Sequence, residues 1–181
     1  MILVVSGTNR EGNLTSRVAS RVVETLKGQE SGPEVEMLDL VELPASLFTP
    51  QAYSAKPAEF QPYIDKVLAC EGMVVVAPEY NGGIPGVLKY FIDMLPFPES
   101  FDGLPVAFIG LSAGRWGGLR TVEHLQQVFG YRNAHIFPRR VFFPMIQGKL
   151  DDAGELADPD FLERLRVQAH GFLEFCRKLG A

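Results

Sequence analysis

The feature that most constrains this chain is its first apolar run. Ile2 to Val5 is continuously apolar, with none of the alternation of a half-exposed strand, so it predicts a strand buried on both faces. The same pattern returns at Met73 to Ala77 and at Val106 to Leu111, with a second strand at Val35 to Leu40. A fifth is expected within Ala134 to Phe143, interrupted by Pro138. A sheet covered on both sides needs helices on both sides, and the intervening segments supply them. Leu14, Val18, Val22 and Leu26 recur every four residues across a helix at 14–26. Further helices are expected over 60–71, from near Pro85 to about Leu95, and over 119–129. A long closing helix spans 159–179, with Asp158 as its N-cap and Gly180 past its end. Strands alternating with helices imply a parallel sheet with right-handed crossovers, and 181 residues suit one such domain over 1–181.

Between Val41 and Pro57 the chain is rich in Pro, Ala and Ser with interspersed Phe48 and Tyr53, and reads as an excursion loop of the functional or interfacial kind. Acidic residues outnumber basic ones by 22 to 17, a net charge of −5 that offers no general footprint for nucleic acid or an anionic membrane. Any bound anion must be held by a local arrangement of donors. No apolar stretch approaches the ~20 residues of a membrane span, and Met1 to Val5 lacks a basic flank, so it reads as a strand rather than a signal peptide. Cys70 and Cys176, without CxxC spacing, are expected as buried free thiols. A cytoplasmic location is the resulting expectation. No His, Cys, Asp and Glu cluster has metal-ligand spacing, and His124 and His135 read as structural or surface residues.

Open parallel sheets bind ligands beyond the carboxyl ends of their strands, at a switch point of the topology. Three strand-to-helix loops are enriched there in Gly and polar residues: 6–13, 78–85 and 112–118. The first opens a helix, whose free N–H groups suit a phosphate; Thr8, Asn13, Thr15 and Ser16 add short donors and Arg10 a charged fork. Ser, Thr and Asn are also ordinary cap residues, but Arg10 and so many hydroxyls exceed what a cap needs. Asn13 and Leu14 stand where a Walker loop would need Lys and Ser or Thr, and no GxGxxG is present, which disfavours a nucleoside-triphosphatase and a Rossmann dinucleotide site. The second loop, Pro78-Glu79-Tyr80-Asn81-Gly82-Gly83, places one aromatic on a flexible turn where Tyr80 can stack on a planar ring.

The third loop contains a chemical rival. Gly110-Leu111-Ser112-Ala113-Gly114 matches GxSxG between a strand and a helix, and Asp151, Asp152, Asp158, Asp160 and then His170 follow in Ser, Asp, His order. His170 falls inside an amphipathic helix, however, no HGGG-like segment stands upstream, and a hydrolase leaves the first two loops unexplained. Ser112 as a nucleophile is the distant alternative.

The Gly-Thr-Asn-Arg loop with Asn13-Leu14-Thr15, the stretch from Pro78 to Lys89, and Ser112-x-Gly114-x-x-Gly117-Gly118-x-Arg120 together resemble the NADPH-dependent FMN reductase family of flavodoxin-like proteins, across nearly the whole chain. That family includes chromate, quinone and azo-dye reductases. The resemblance implies a flavodoxin-like three-layer α/β fold with a five-stranded sheet in the order 2-1-3-4-5 and FMN at its switch point, a location general to such sheets. By the same resemblance Thr8, Arg10, Asn13, Leu14 and Thr15 hold FMN at its phosphate end. Pro78, Glu79, Tyr80, Asn81 and Gly82 line the ring, and Ser112, Gly114, Trp116 and Gly117 close the other side. The family more often has Ser at position 13 and Asn at position 90, where this chain has Asn13 and Tyr90.

The implied activity is ping-pong: NADPH, or NADH, delivers hydride, and a small-molecule acceptor then takes the electrons. Arg115 and Arg120 are possible partners for the extra phosphate of NADPH. Since the flavin carries the redox chemistry, no catalytic acid, base or nucleophile is expected from the protein. An FMN-binding electron carrier or redox sensor is the alternative, although dedicated flavodoxin carriers tend to be far more acidic than −5. A homodimer or homotetramer is expected from the family and from the apolar surface that the excursion, Phe91, Phe97 and Phe101 would supply.

Overall fold

A computed structural model describes residues 1–29, 32–151 and 156–180. In chain order the elements are β1 (Ile2–Ser6), α1 (Leu14–Lys27), β2 (Val35–Asp39), α2 (Gln61–Ala69), β3 (Gly72–Pro78), α3 (Gly86–Met94), β4 (Pro105–Leu111), α4 (Leu119–Tyr131), β5 (His135–Ile136), β6 (Val141–Phe143) and α5 (Pro159–Leu179). All strand pairs are parallel, in the order β2-β1-β3-β4, with β5 and β6 sharing the last lane beside β4. This is the expected flavodoxin-like topology.

Strand alternation explains the three layers. Ile2, Val4, Val74, Val76, Ala107 and Ile109 project into one core with α1 and α5. Leu3, Val5, Met73, Val75, Val106 and Phe108 project into the other with α2, α3 and α4. Every residue of β1, β3 and β4 is buried, as their unbroken apolar runs require. Fully burying one such side chain is worth roughly 1.5–3 kcal/mol, so a slip of register here would be costly. Asp158 caps α5 through the N–H groups of Asp160 and Phe161, and Gly180 closes it. Cys70 and Cys176 are buried free thiols, and desolvation pushes them up to about 12 and about 11, so both stay protonated near neutrality.

Two expectations are corrected. The fifth lane is two short strands rather than one, because Pro138 pushes the chain off the ladder. His135 and Phe137 donate to Leu104 O and Val106 O, and the next acceptor, Phe108 O, takes its bond from Gln168 Nε2 at 3.0 Å instead. The same amide nitrogen reaches Arg139 O at 2.9 Å, so a buried glutamine on α5 fills the gap. Secondly, Phe91 and Phe101 are core residues at 1% exposure each, and of the three aromatics only Phe97 is exposed. The excursion between Val41 and Pro57 is structured. It folds as short 3₁₀ turns that bury Leu47 and Ala52, and it docks on α3 through Tyr90, whose hydroxyl donates to Leu47 O while its ring stacks on Phe48.

Candidate functional site

The first and second loops leave the carboxyl edge of the sheet toward opposite faces, since α1 belongs to one core and α3 to the other. Between them opens a cleft of about 320 Å³. Its first wall is the end of the first loop and the start of α1, from Arg10 to Thr15. Asn13 caps this helix: its Oδ1 accepts from Ser16 N–H at 2.8 Å, and its Nδ2 donates to Arg10 O at 2.6 Å, which fixes the loop's curvature. The next N–H groups, on Leu14 and Thr15, find no acceptor among the described residues. They leave a positive helix end beside the cleft, with exposed Arg10 next to it.

The second wall is Pro78, Glu79 and Tyr80. The turn beyond them is a closed, hydrogen-bonded hairpin. Tyr80 and Gly83 exchange both backbone hydrogen bonds, at 3.1 and 3.0 Å, around Asn81 at φ 50 and Gly82 at φ 76. Positive φ at both central residues is the geometry that Asn-Gly selects in a two-residue hairpin. Thr8 ties the first wall to the second. Its hydroxyl is fully buried, shares a 2.7 Å hydrogen bond with the Tyr80 hydroxyl, and accepts from Arg10 N–H. The Arg10 guanidinium lies 5.5 Å from the Tyr80 ring centroid, within the range of a cation–π contact.

The third wall is Leu111, Ser112 and Ala113, joined by Ile146 and Gln147. The segment after β6 zips onto the third loop: Ser112 N–H donates to Phe143 O, Met145 N–H to Gly114 O and Ile146 N–H to Ser112 O.

Of the residues expected from sequence, Arg10, Asn13, Leu14, Thr15, Pro78, Glu79, Tyr80 and Ser112 come together around the cleft. Thr8 lies beneath it. Asn81 and Gly82 form the hairpin tip, Gly114 pairs with Met145, and Trp116 stands 64% exposed on the loop. Gly117 is packed against the backbone of Phe143 and Pro144. Ile146 and Gln147 escaped the sequence reading. Applying the strand-end rule to the fifth lane as well would have found them.

Ser112 is not organised as a nucleophile. Its hydroxyl donates to Gly114 O at 3.0 Å, while His170 is exposed and lines a different cleft with Phe137 and Lys178, its Nε2 3.7 Å from Glu174. Asp158 serves the α5 cap and Asp160 pairs with Arg164. Asp152 lies outside the described residues.

A family model described as NADPH-dependent FMN reductase matches residues 1–147. The chain belongs to this family. Within it, the chain is 28% identical to an NAD(P)H-dependent FMN reductase of Pseudomonas aeruginosa, covering 98% of this chain and 96% of that one. It is 30% identical to a quinone reductase of Escherichia coli over the same shares. Among solved structures, the flavoenzyme NAD(P)H:(acceptor) oxidoreductase FerB of Paracoccus denitrificans superposes with a TM-score of 0.80, at 18% identity over 98% and 97% of the two chains. A flavodoxin of Megasphaera elsdenii superposes at 0.60, with 14% identity over 94% and 99%. The donor set fits the family's cofactor. Two unbonded helix N–H groups and a guanidinium suit a phosphate dianion, and Tyr80 with Pro78 and Leu111 gives a planar ring apolar walls.

Ser112→Ala removes one neutral hydrogen bond, worth roughly 0.5–1.5 kcal/mol. We expect NADPH-dependent reduction to fall by about tenfold at most, His170→Ala to leave it unchanged, and wild type to show no esterase turnover. Esterase activity abolished in both variants would restore the hydrolase.

Proposed function

We propose that this chain is a flavin-dependent NAD(P)H oxidoreductase that binds FMN in the cleft between its three strand-end loops and reduces small acceptors of the quinone, azo-dye, free-flavin or metal-oxyanion kind. The observation that carries the reading is the convergence of the α1 N-terminus, Arg10 and Tyr80 on one cleft at the switch point of the sheet. FMN bound there supplies the redox chemistry, with hydride entering from NADPH and electrons leaving to the acceptor in ping-pong order. Curated relatives named FMN reductase, quinone reductase and NADPH azoreductase support an enzyme over an electron carrier.

The protein's part is to bind, orient and exclude water. The Leu14 and Thr15 N–H groups and the Arg10 side chain take the phosphate; Asn13 contributes by holding the helix start in shape. Thr8 acts from below by fixing Tyr80. Pro78 and Tyr80 form one side of the ring slot, with Asn81 and Gly82 setting the turn that ends it. Ser112 forms the other side, on a loop shaped by Gly114 and Gly117, and Trp116 stands at its rim. Arg115, exposed on the third loop, is the better placed of the two candidate arginines for the NADPH phosphate, since Arg120 is engaged by Glu79. Two buried free thiols suit a reducing, cytoplasmic setting.

Self-association belongs to the same proposal. Phe97 and Tyr131, 64% and 80% exposed, flank a cleft of about 530 Å³ floored by Ile92 of α3, Leu95 just past it and Val128 of α4 and rimmed by Lys89, Asp93, Gln127 and Arg132, an apolar patch with a polar rim of the kind that a second copy covers. Light scattering at micromolar concentration is expected to give a dimer or tetramer; the mass of a single chain would contradict it.

Arg10→Ala tests the phosphate assignment. Loss of a charge-assisted contact costs roughly 1.5–3 kcal/mol, so FMN affinity should fall about ten- to a hundredfold, while riboflavin, which lacks the phosphate, binds both proteins equally. Calorimetry reads both ligands. Equal loss for the two would mean that Arg10 supports the loop alone.

A further inference from the structure

Helix α4 begins without a cap of its own. Its N-cap residue is Gly118, at φ 85, and a side chain there would meet Leu111 N at 2.6 Å, so none of the usual capping residues can stand at that position. The missing acceptor comes from 41 residues upstream. Glu79, 12% exposed, accepts from Arg120 N–H through Oε2 at 3.2 Å, and its Oε1 meets the Arg120 guanidinium at 3.2 Å. Arg120 is the second residue of α4, one of the positions whose N–H an N-cap side chain ordinarily satisfies.

The next residue of the helix completes the attachment. Thr121, fully buried, donates to Gly83 O at 2.7 Å, with Pro78 O as a second acceptor at 3.2 Å. The Pro78–Gly83 wall is thereby fastened to the first turn of α4 at both ends, by Glu79 on one side of the Tyr80 hairpin and by the Gly83 carbonyl on the other. The hairpin has its own pair of backbone bonds but, among the described residues, no further strand beside it. A two-residue hairpin alone is marginal in water, so its orientation depends on this attachment.

We propose that Glu79 is a positioning residue: its carboxylate caps α4 from the second loop and so presets the slot for the flavin ring, without itself contacting the ring. This rests on the reading of the cleft as an FMN site. It changes the role expected of Glu79 from ring lining to clamp, and it adds Thr121, which does not line the cleft, to the residues that determine flavin affinity.

The test compares wild type, Glu79→Ala, Glu79→Gln and Thr121→Val by titration with FMN and with riboflavin, and by hydrogen exchange of the flavin-free proteins. Losing a cap weakens FMN and riboflavin binding alike, by about tenfold, in Glu79→Ala and in Thr121→Val. Glu79→Gln keeps an acceptor oxygen and should stay within about threefold of wild type. In the flavin-free proteins the Tyr80 and Gly83 amides should exchange faster in Glu79→Ala and Thr121→Val, while amides of α5 stay as protected as in wild type. Lost affinity in Glu79→Ala with unchanged hairpin exchange would mean direct contact with the flavin and would overturn the proposal, as would unaltered affinity in Thr121→Val. If wild type took up no flavin, the functional reading would fail, whereas unchanged hairpin exchange would defeat the clamp by itself.

Discussion

The parallel pairing of β1 with both β2 and β3 is the constraint on which the rest depends. It places the chain's first strand inside the sheet, so the following loop must turn to one face and the loop after β3 to the other. A crevice opens where they part, at the carboxyl edge. The start of α1 points its unbonded N–H groups at that crevice because the helix runs antiparallel to the strands it covers. Nothing about the overall charge is needed. A chain of net charge −5 can hold a dianion because two N–H groups, a helix end and one arginine are concentrated at a single place.

The site is held in shape by polar contacts that link its walls to one another. Thr8 and Tyr80 join the first and second, Glu79 and Thr121 join the second to α4, and Ser112 with Gly114 joins the third to the segment after β6. Such preorganisation reduces the ordering cost that a ligand would otherwise meet. It also shows how side chains near the cleft divide their work: Thr8 spends its hydroxyl on Tyr80 beneath the cleft, and Asn13, although on the wall, spends its amide on the helix cap.

Most of the architecture was legible because buried parallel strands and amphipathic helices write simple periods. The long α5 was read with its cap and its end, since Asp158, Pro159 and Gly180 are local signals. The broken fifth lane was half visible in Pro138, but the bond from Gln168 that heals it comes from a residue 60 positions away from its acceptor, which no local pattern reports. In the site, residue types pointed to the right loops but not to their division of labour. Thr8 and Thr15 look alike in sequence, yet one is tied to Tyr80 below the cleft and the other lines its wall. The second loop looked flexible because it holds two glycines. Asn81-Gly82 is instead the pair that a tight hairpin turn demands, and that signal was available.

The central claim is that this cleft binds FMN and passes electrons from a nicotinamide donor to an acceptor. Anaerobic titration of the FMN-loaded protein with NADPH, followed by addition of a quinone, tests it most directly. The account predicts one FMN per chain, bleaching of its yellow absorbance by one equivalent of NADPH, and full recovery of colour on adding quinone. A chain that takes up no FMN, or holds FMN that NADPH fails to bleach, would contradict it.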